Sequence, residues 1–316
     1  MVWLMAALGL GILLLAGDAL VKGAVNLSLR VGIPALIVSL TIVAFGTSAP
    51  ELLISIKAGL DDLPGIALGN VVGSNTANVL LVLGIPALLA VMHTSECETR
   101  KSYLQMIAGT FLFIALAFTG EFNWIKGLVL LAALALILGD NLRDALSHRR
   151  AANDAEDALE DLEGADPDMP WWKIGVFLAL GLVGLPLGAD ILVDSATEIA
   201  QRFGVSDTVI GLTFVAIGTS LPELATTVMA ALRRQADVAL GNVIGSNLFN
   251  LLAIIGIASL VAPIPVDPEF LHFDLWVMLG ASLILAPFVF WGRDLNRTWG
   301  VILSVLYIVY IVIVLV

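Results

Sequence analysis

Charge is scarce in this chain. Of its 316 residues only 13% are Asp, Glu, Lys or Arg and 59% are apolar, against roughly a quarter charged in a soluble domain. That balance excludes an ordinary soluble fold. The single cysteine, Cys97, excludes a disulfide framework and a cysteine-rich metal site, and His93, His148 and His272 stand apart without metal-ligand spacing. A formal charge of −12 offers nucleic acid no basic surface. Long polar stretches are missing too, except at 144–170.

Apolar runs fill the rest. A helix needs about 20 apolar residues to cross the bilayer core. Ten runs of that kind occur, at 3–28, 33–57, 65–91, 103–120, 123–143, 172–201, 207–232, 238–262, 273–291 and 298–316. They predict an all-α membrane protein with ten transmembrane helices. The first run lacks a positive leader and continues to Leu29, so it reads as a span rather than a signal peptide.

Orientation follows from the basic residues. With the N-terminus outside, the cytoplasmic connections hold Arg30, Arg100, Lys101, Arg143, Arg149, Arg150, Lys173, Arg233, Arg234, Arg293 and Arg297. The external ones hold only Lys57, Lys126 and Arg202. The bias predicts both termini outside and the linker 146–170 in the cytoplasm. Acids crowd that linker from Asp154 to Asp168, without the alternating acids and central glycine of an EF-hand loop. It reads as a solvated segment, with a regulatory calcium site as the sharper alternative.

The chain repeats itself. Shifting it by 172 residues lays 13–85 on 185–257 without a gap, with about 32 of 73 positions identical. Asp18 falls on Asp190, GTSAPE (46–51) on GTSLPE (218–223), and GNVVGSN (69–75) on GNVIGSN (241–247). Five spans per repeat is an odd number, so the second repeat enters the membrane from the opposite side. The expected domains are a first inverted repeat at 1–145, the linker at 146–170 and a second inverted repeat at 171–316. Inverted repeats are frequent in secondary transporters, whose sites lie near the midplane on interrupted helices.

Pro50 and Pro222 each remove a backbone donor and predict a helix broken at the midplane. Thr47, Ser48, Thr219 and Ser220 are then available to satisfy freed backbone groups or to offer hydroxyl oxygens. The carbonyls of Ala44 and Ala216 are expected to lose their helical partners. Glu51 and Glu223 set the charge of the site: a carboxylate at mid-membrane costs about 3 kcal/mol on insertion scales and is kept for function. Carboxylates, hydroxyls and free carbonyls together are ligands for a hard cation. Ser74 and Asn78 share one helical face, as do Ser246 and Asn250, and extend the candidate ligand set. Asn70, Asn75, Asn242 and Asn247 read as polar contacts between helices. Asp18 and Asp190 are assigned to a permeation path, with Lys22, one turn from Asp18, as a structural alternative partner.

These paired motifs closely resemble the two alpha repeats of the sodium/calcium exchanger family, within the cation/calcium antiporter superfamily, and the chain looks like a short prokaryotic member. The resemblance covers nearly the whole chain. It implies antiport of Ca²⁺ against Na⁺, or in related branches against protons, by alternating access. It also implies ligands from the carboxylates of Glu51 and Glu223, the hydroxyls of Thr47, Ser48, Thr219, Ser220, Ser74 and Ser246, the carbonyls of Ala44 and Ala216 and the amide of Asn78. The first and sixth spans are expected to slide against the rest. Some members carry an aspartate where Asn250 stands, and an acid there accompanies potassium binding in one branch, so Asn250 argues against potassium co-transport.

The expected function is therefore a Ca²⁺/Na⁺ antiporter of a prokaryotic plasma (inner) membrane; the alternative is a proton-coupled antiporter using the same carboxylates. An ion channel and an intramembrane enzyme are the competing classes, and the duplicated Ser/Thr/Asn shell disfavours the enzyme. No cofactor is expected beyond the transported ions. With both repeats in one chain, a monomer suffices.

Overall fold

The computed structural model describes residues 2–152, 166–203, 216–268 and 270–315, with backbone alone at 145–152, 216–217 and 315. Helix dominates. In chain order the elements are α1 (Val2–Val31), α2 (Ala35–Thr47), α3 (Ala49–Leu60), α4 (Pro64–Leu89), α5 (Arg100–Ala117), α6 (Trp124–Ala152), α7 (Trp171–Arg202), α8 (Ala216–Thr219), α9 (Leu221–Leu232), α10 (Ala236–Val261), α11 (Phe270–Phe290) and α12 (Arg297–Leu315). One two-stranded ribbon, Glu121–Phe122 against Ile264–Pro265, ties the two halves together at a helix end.

Among the described residues seven helices are long and apolar enough to cross a bilayer, and α2 with α3 makes an eighth broken span. Two expected spans fall short of that test. Arg100 and Lys101 open α5, and the seventh expected span, 207–232, lies outside the described residues until Ala216. Most of the acidic linker, residues 153–165, lies outside them as well.

The 172-residue period recurs in the backbone. The helix Ala49–Leu60 matches Leu221–Leu232 end for end, and Pro64 and Ala236 open equivalent helices. Even the turns agree: Asp62 and Arg234 both take left-handed backbone, at φ 57° and 56°.

Buried apolar residues form two clusters, and α1 and α2 contribute to both. A large apolar core runs through α4, α5, α6, α10, α11 and α12. A second, smaller cluster joins α1 to α7 through Leu13, Ala16, Leu20, Ala24, Leu185 and Ala189, and touches Val38, Val43 and Ala225. Glycine permits this close pairing. A Cβ on Gly9 would stand 2.7 Å from the Leu192 nitrogen, and one on Gly188 would stand 2.8 Å from the Leu13 nitrogen.

Candidate cation site

The path breaks at Ser48. There α2 and α3 meet at 45°, and Ser48 has left helical geometry at φ −85°, ψ 6°. Ser220 does the same at φ −86°, ψ 2°. Pro50 and Pro222 sit in the first turn of the following half-helix, where no intrahelical donor is needed. Neither serine caps its helix with its side chain, so both hydroxyls remain available to other groups. Glu51 and Glu223 stand in the same first turns, where the positive end of the helix dipole favours a carboxylate.

Both carboxylates are fully buried. Glu223 Oε1 accepts a hydrogen bond from Ser48 Oγ of the other repeat at 3.2 Å and from Ser246 Oγ at 3.5 Å. Neither oxygen of Glu51 has a hydrogen-bond partner among the described residues, nor do Glu223 Oε2, Ser74 Oγ, Ser220 Oγ, Asn78 Oδ1 and both amide atoms of Asn250. A buried polar atom left without a partner costs about 1–3 kcal/mol. So many acceptor oxygens around two carboxylates form a donor set suited to a hard cation.

Asparagines hold the shell in place. Asn70 Nδ2 donates to the Glu51 carbonyl at 3.2 Å and to Ser55 Oγ at 3.1 Å. Asn242 repeats this on the Glu223 carbonyl at 3.3 Å and Thr227 Oγ1 at 3.0 Å. Asn75 Nδ2 donates to the Asn247 carbonyl at 3.2 Å, and Asn247 Nδ2 returns a bond to the Asn75 carbonyl at 3.5 Å. Asn78 Nδ2 reaches Asn247 Oδ1 at 3.1 Å. Sequence reasoning missed Ser55 and Thr227, although the 172-residue spacing pairs them.

Two expectations are corrected. The Ala44 carbonyl keeps its helical partner: it accepts from the Ser48 amide at 3.0 Å and from Thr47 Oγ1 at 3.2 Å. The reason is register, since Pro50 withholds its donor from the carbonyl four residues earlier, Gly46. Ala216 opens the equivalent turn Ala216–Thr219. Asp18 pairs with Arg233 rather than with Lys22; Lys22 lies 5.7 Å from the centre of the Phe177 ring.

Thr219 and Ser74 line a cavity of about 360 Å³ that rises between α4, α11 and α12 past Asn70, Phe270, Asp274 and Tyr310. Its wall continues to Gly65 and Ile66 in the first turn of α4. Cys97, in the connection between α4 and α5, takes no part: burial and the Asp237 carboxylate push its thiol well above the usual range.

The family described as sodium/calcium exchanger protein matches residues 1–139 and 173–316. The chain is 34% identical to the sodium/calcium exchanger MaX1 of Methanosarcina acetivorans, covering 98% of this chain and 97% of that one. It is 33% identical to the inner membrane protein YrbG of Escherichia coli, over 96% and 93%. Solved structures of the sodium-calcium exchanger NCX_Mj superpose with a TM-score of 0.81 at 31% identity over 98% of this chain and 96% of that chain when soaked with Na⁺ and Sr²⁺, and with a TM-score of 0.83 over 99% and 100% when soaked without Na⁺ and Ca²⁺. The fold, the buried acidic centre and these likenesses agree: this chain belongs to the sodium/calcium exchanger family and is a membrane cation/calcium antiporter.

Proposed function

We propose that the protein exchanges Ca²⁺ for Na⁺ by alternating access, with Glu51 and Glu223 at a central site between two inverted five-helix repeats. The observation that carries this reading is the buried carboxylate pair, drawn from equivalent half-helices, with buried serine and asparagine oxygens that no donor among the described residues serves. The exchanger names of the relatives support the same choice of ions.

The site charge explains obligatory exchange. With both carboxylates ionised it is −2, which one Ca²⁺ or two Na⁺ neutralise. An unneutralised pair resists enclosure in the low-dielectric protein, so the carrier changes state with an ion aboard. Ser74, Ser220, Asn78 and Asn250 would supply further oxygens. Thr47, Ser48, Thr219 and Ser246 would complete the shell. For Ala44 to join it, the Thr47 hydroxyl must yield its place on that carbonyl. The Ala216 carbonyl belongs to the same proposed set. In this reading the repeats span 1–145 and 171–316, ten helices cross a prokaryotic inner membrane, both termini face outward and the linker 146–170 is cytoplasmic.

Calcium uptake into sealed proteoliposomes tests the proposal, with an outward sodium gradient compared with an outward proton gradient. Uptake driven by sodium and lost in Glu51→Gln is the expected result. Uptake driven by protons alone moves the protein to the proton-coupled branch, and uptake retained in Glu51→Gln rejects the site.

A further inference from the structure

The helix pair α1–α7, whose apolar cluster reaches Ala225 of α9, is also joined to α9 by one ion pair among the described residues. Arg233 places Nε and a terminal guanidinium nitrogen each 2.5 Å from Asp18 Oδ1. Both side chains are about three-quarters or more covered, at 26% exposure for Asp18 and 20% for Arg233. The surrounding contact is close, since a Cβ on the neighbouring Gly17 would stand 2.9 Å from the Ala225 carbonyl of α9.

The other half has the same backbone with different charge. Arg233 ends α9 at φ −89°, ψ 8°, and its equivalent Asp61 ends α3 at φ −84°, ψ 5°. The equivalent of Asp18 is Asp190. Where one half sets an acid against a guanidinium, the other sets two acids. Lys57, one turn earlier on α3, stands where the second half has Met229 and does not occupy the position of Arg233. Packing differs in the same sense. Whereas α1 lies against α9, α7 makes no comparable contact with α3 among the described residues, and Asp61 and Asp190 are exposed.

We propose that Asp18 and Arg233 form a latch that holds the carrier closed at the Arg233 end, and that the Asp61 end has no counterpart. This rests on the alternating-access reading above. In a carrier built of inverted repeats, the opposite state follows when the two halves exchange conformations. That exchange parts Asp18 from Arg233 and brings Asp190 toward Asp61, so an attraction is given up and a repulsion gained. The resting population is thereby biased toward the state in which one 360 Å³ cavity is lined both by Ser74 and Thr219 and by Gly65 and Ile66, in the first turn of α4 that follows the Asp61 turn. With the basic residues inside, this is an outward-facing rest, open to external cations.

Cysteine labelling tests the latch directly. In a Cys97→Ser background, Ile66→Cys places a thiol in the cavity wall, and a membrane-impermeant maleimide is added outside right-side-out vesicles. Asp18→Asn and Arg233→Gln should each shift the outward-to-inward equilibrium about two- to fivefold, the range expected of a partly exposed ion pair, and so slow labelling by up to about threefold. The charge-swapped pair Asp18→Arg with Arg233→Asp should restore it. Asp61→Arg, at an exposed site, should slow labelling by creating the missing latch against Asp190. Unchanged labelling in the single variants, a swapped pair as slow as either single, or no effect of Asp61→Arg would overturn the proposal. Sodium-driven calcium uptake by the parent protein in the same vesicles separates the two ideas: exchange with unaltered labelling rejects the latch alone, and absent exchange rejects the transport reading.

Discussion

Glu51 and Glu223 occupy equivalent places and yet stand in different company. Glu223 receives the Ser48 and Ser246 hydroxyls. The equivalent donors for Glu51 are Ser220 and Ser74, and neither hydroxyl makes that bond: among the described residues both lack partners, as do both oxygens of Glu51. One half-site is closed by hydrogen bonds and the other holds its oxygens ready. Ser74 also lines the cavity, together with Thr219 of the second repeat, so side chains of both halves face it. The lesson is that a repeated sequence does not give two identical half-sites at once; a single conformation supplies hydroxyl donors to one carboxylate and none to the other among the described residues.

The strongest way to break this comparison is to neutralise each acid in turn. Each neutralisation takes a full negative charge from a buried ligand set for a divalent cation, so Glu51→Gln and Glu223→Gln should each reduce calcium uptake by about 100-fold or more, equivalent to about 2.7 kcal/mol. Thermal unfolding in detergent with and without Ca²⁺ separates ligand loss from misfolding, because a bound ion at a hundred times its Kd stabilises by about 2.7 kcal/mol. Both variants should fold and lose that increment. A variant that keeps it contradicts the assignment of its carboxylate.

Serine substitutions sharpen the comparison at smaller cost. Ser74→Ala and Ser220→Ala should weaken calcium binding about tenfold, equivalent to about 1.4 kcal/mol, while leaving the calcium-free protein as stable or slightly more so, because each removes a buried hydroxyl without a partner. Ser48→Ala should do the reverse to the calcium-free protein and lower its stability by about 1 kcal/mol, since it takes a donor from Glu223. Isothermal titration and calcium-free melting on the same preparations read both effects. Equal melting shifts from Ser48→Ala and Ser220→Ala would erase the difference between the halves.

Much of this was legible in the residues. The period of 172, the breaks before Pro50 and Pro222 and the burial of both glutamates followed from rare polar residues kept in register within apolar runs. Other features were not. The Asp18–Arg233 pair joins positions 215 apart, where local spacing offered only Lys22 as an alternative to a permeation role, and the Lys22 ammonium turns to an aromatic face instead. The Ala44 carbonyl was misjudged because the donor lost to proline belongs to the carbonyl of Gly46. Nor does periodicity reveal the widened π-helical turns at Ser39–Val43 and Phe249–Ile254. The second of these carries Asn250 into the site, where its amide bonds to no described neighbour.

Asn75 and Asn247, equivalent under the 172-residue period, exchange bonds, each donating to the other's main chain. That is the geometry of an isologous interface, in which residue i meets j and j meets i. A half-length ancestor would have made this contact with its own second copy. An asparagine at this position would serve such a homodimer twice, once from each subunit, and gene fusion would leave it no reason to change.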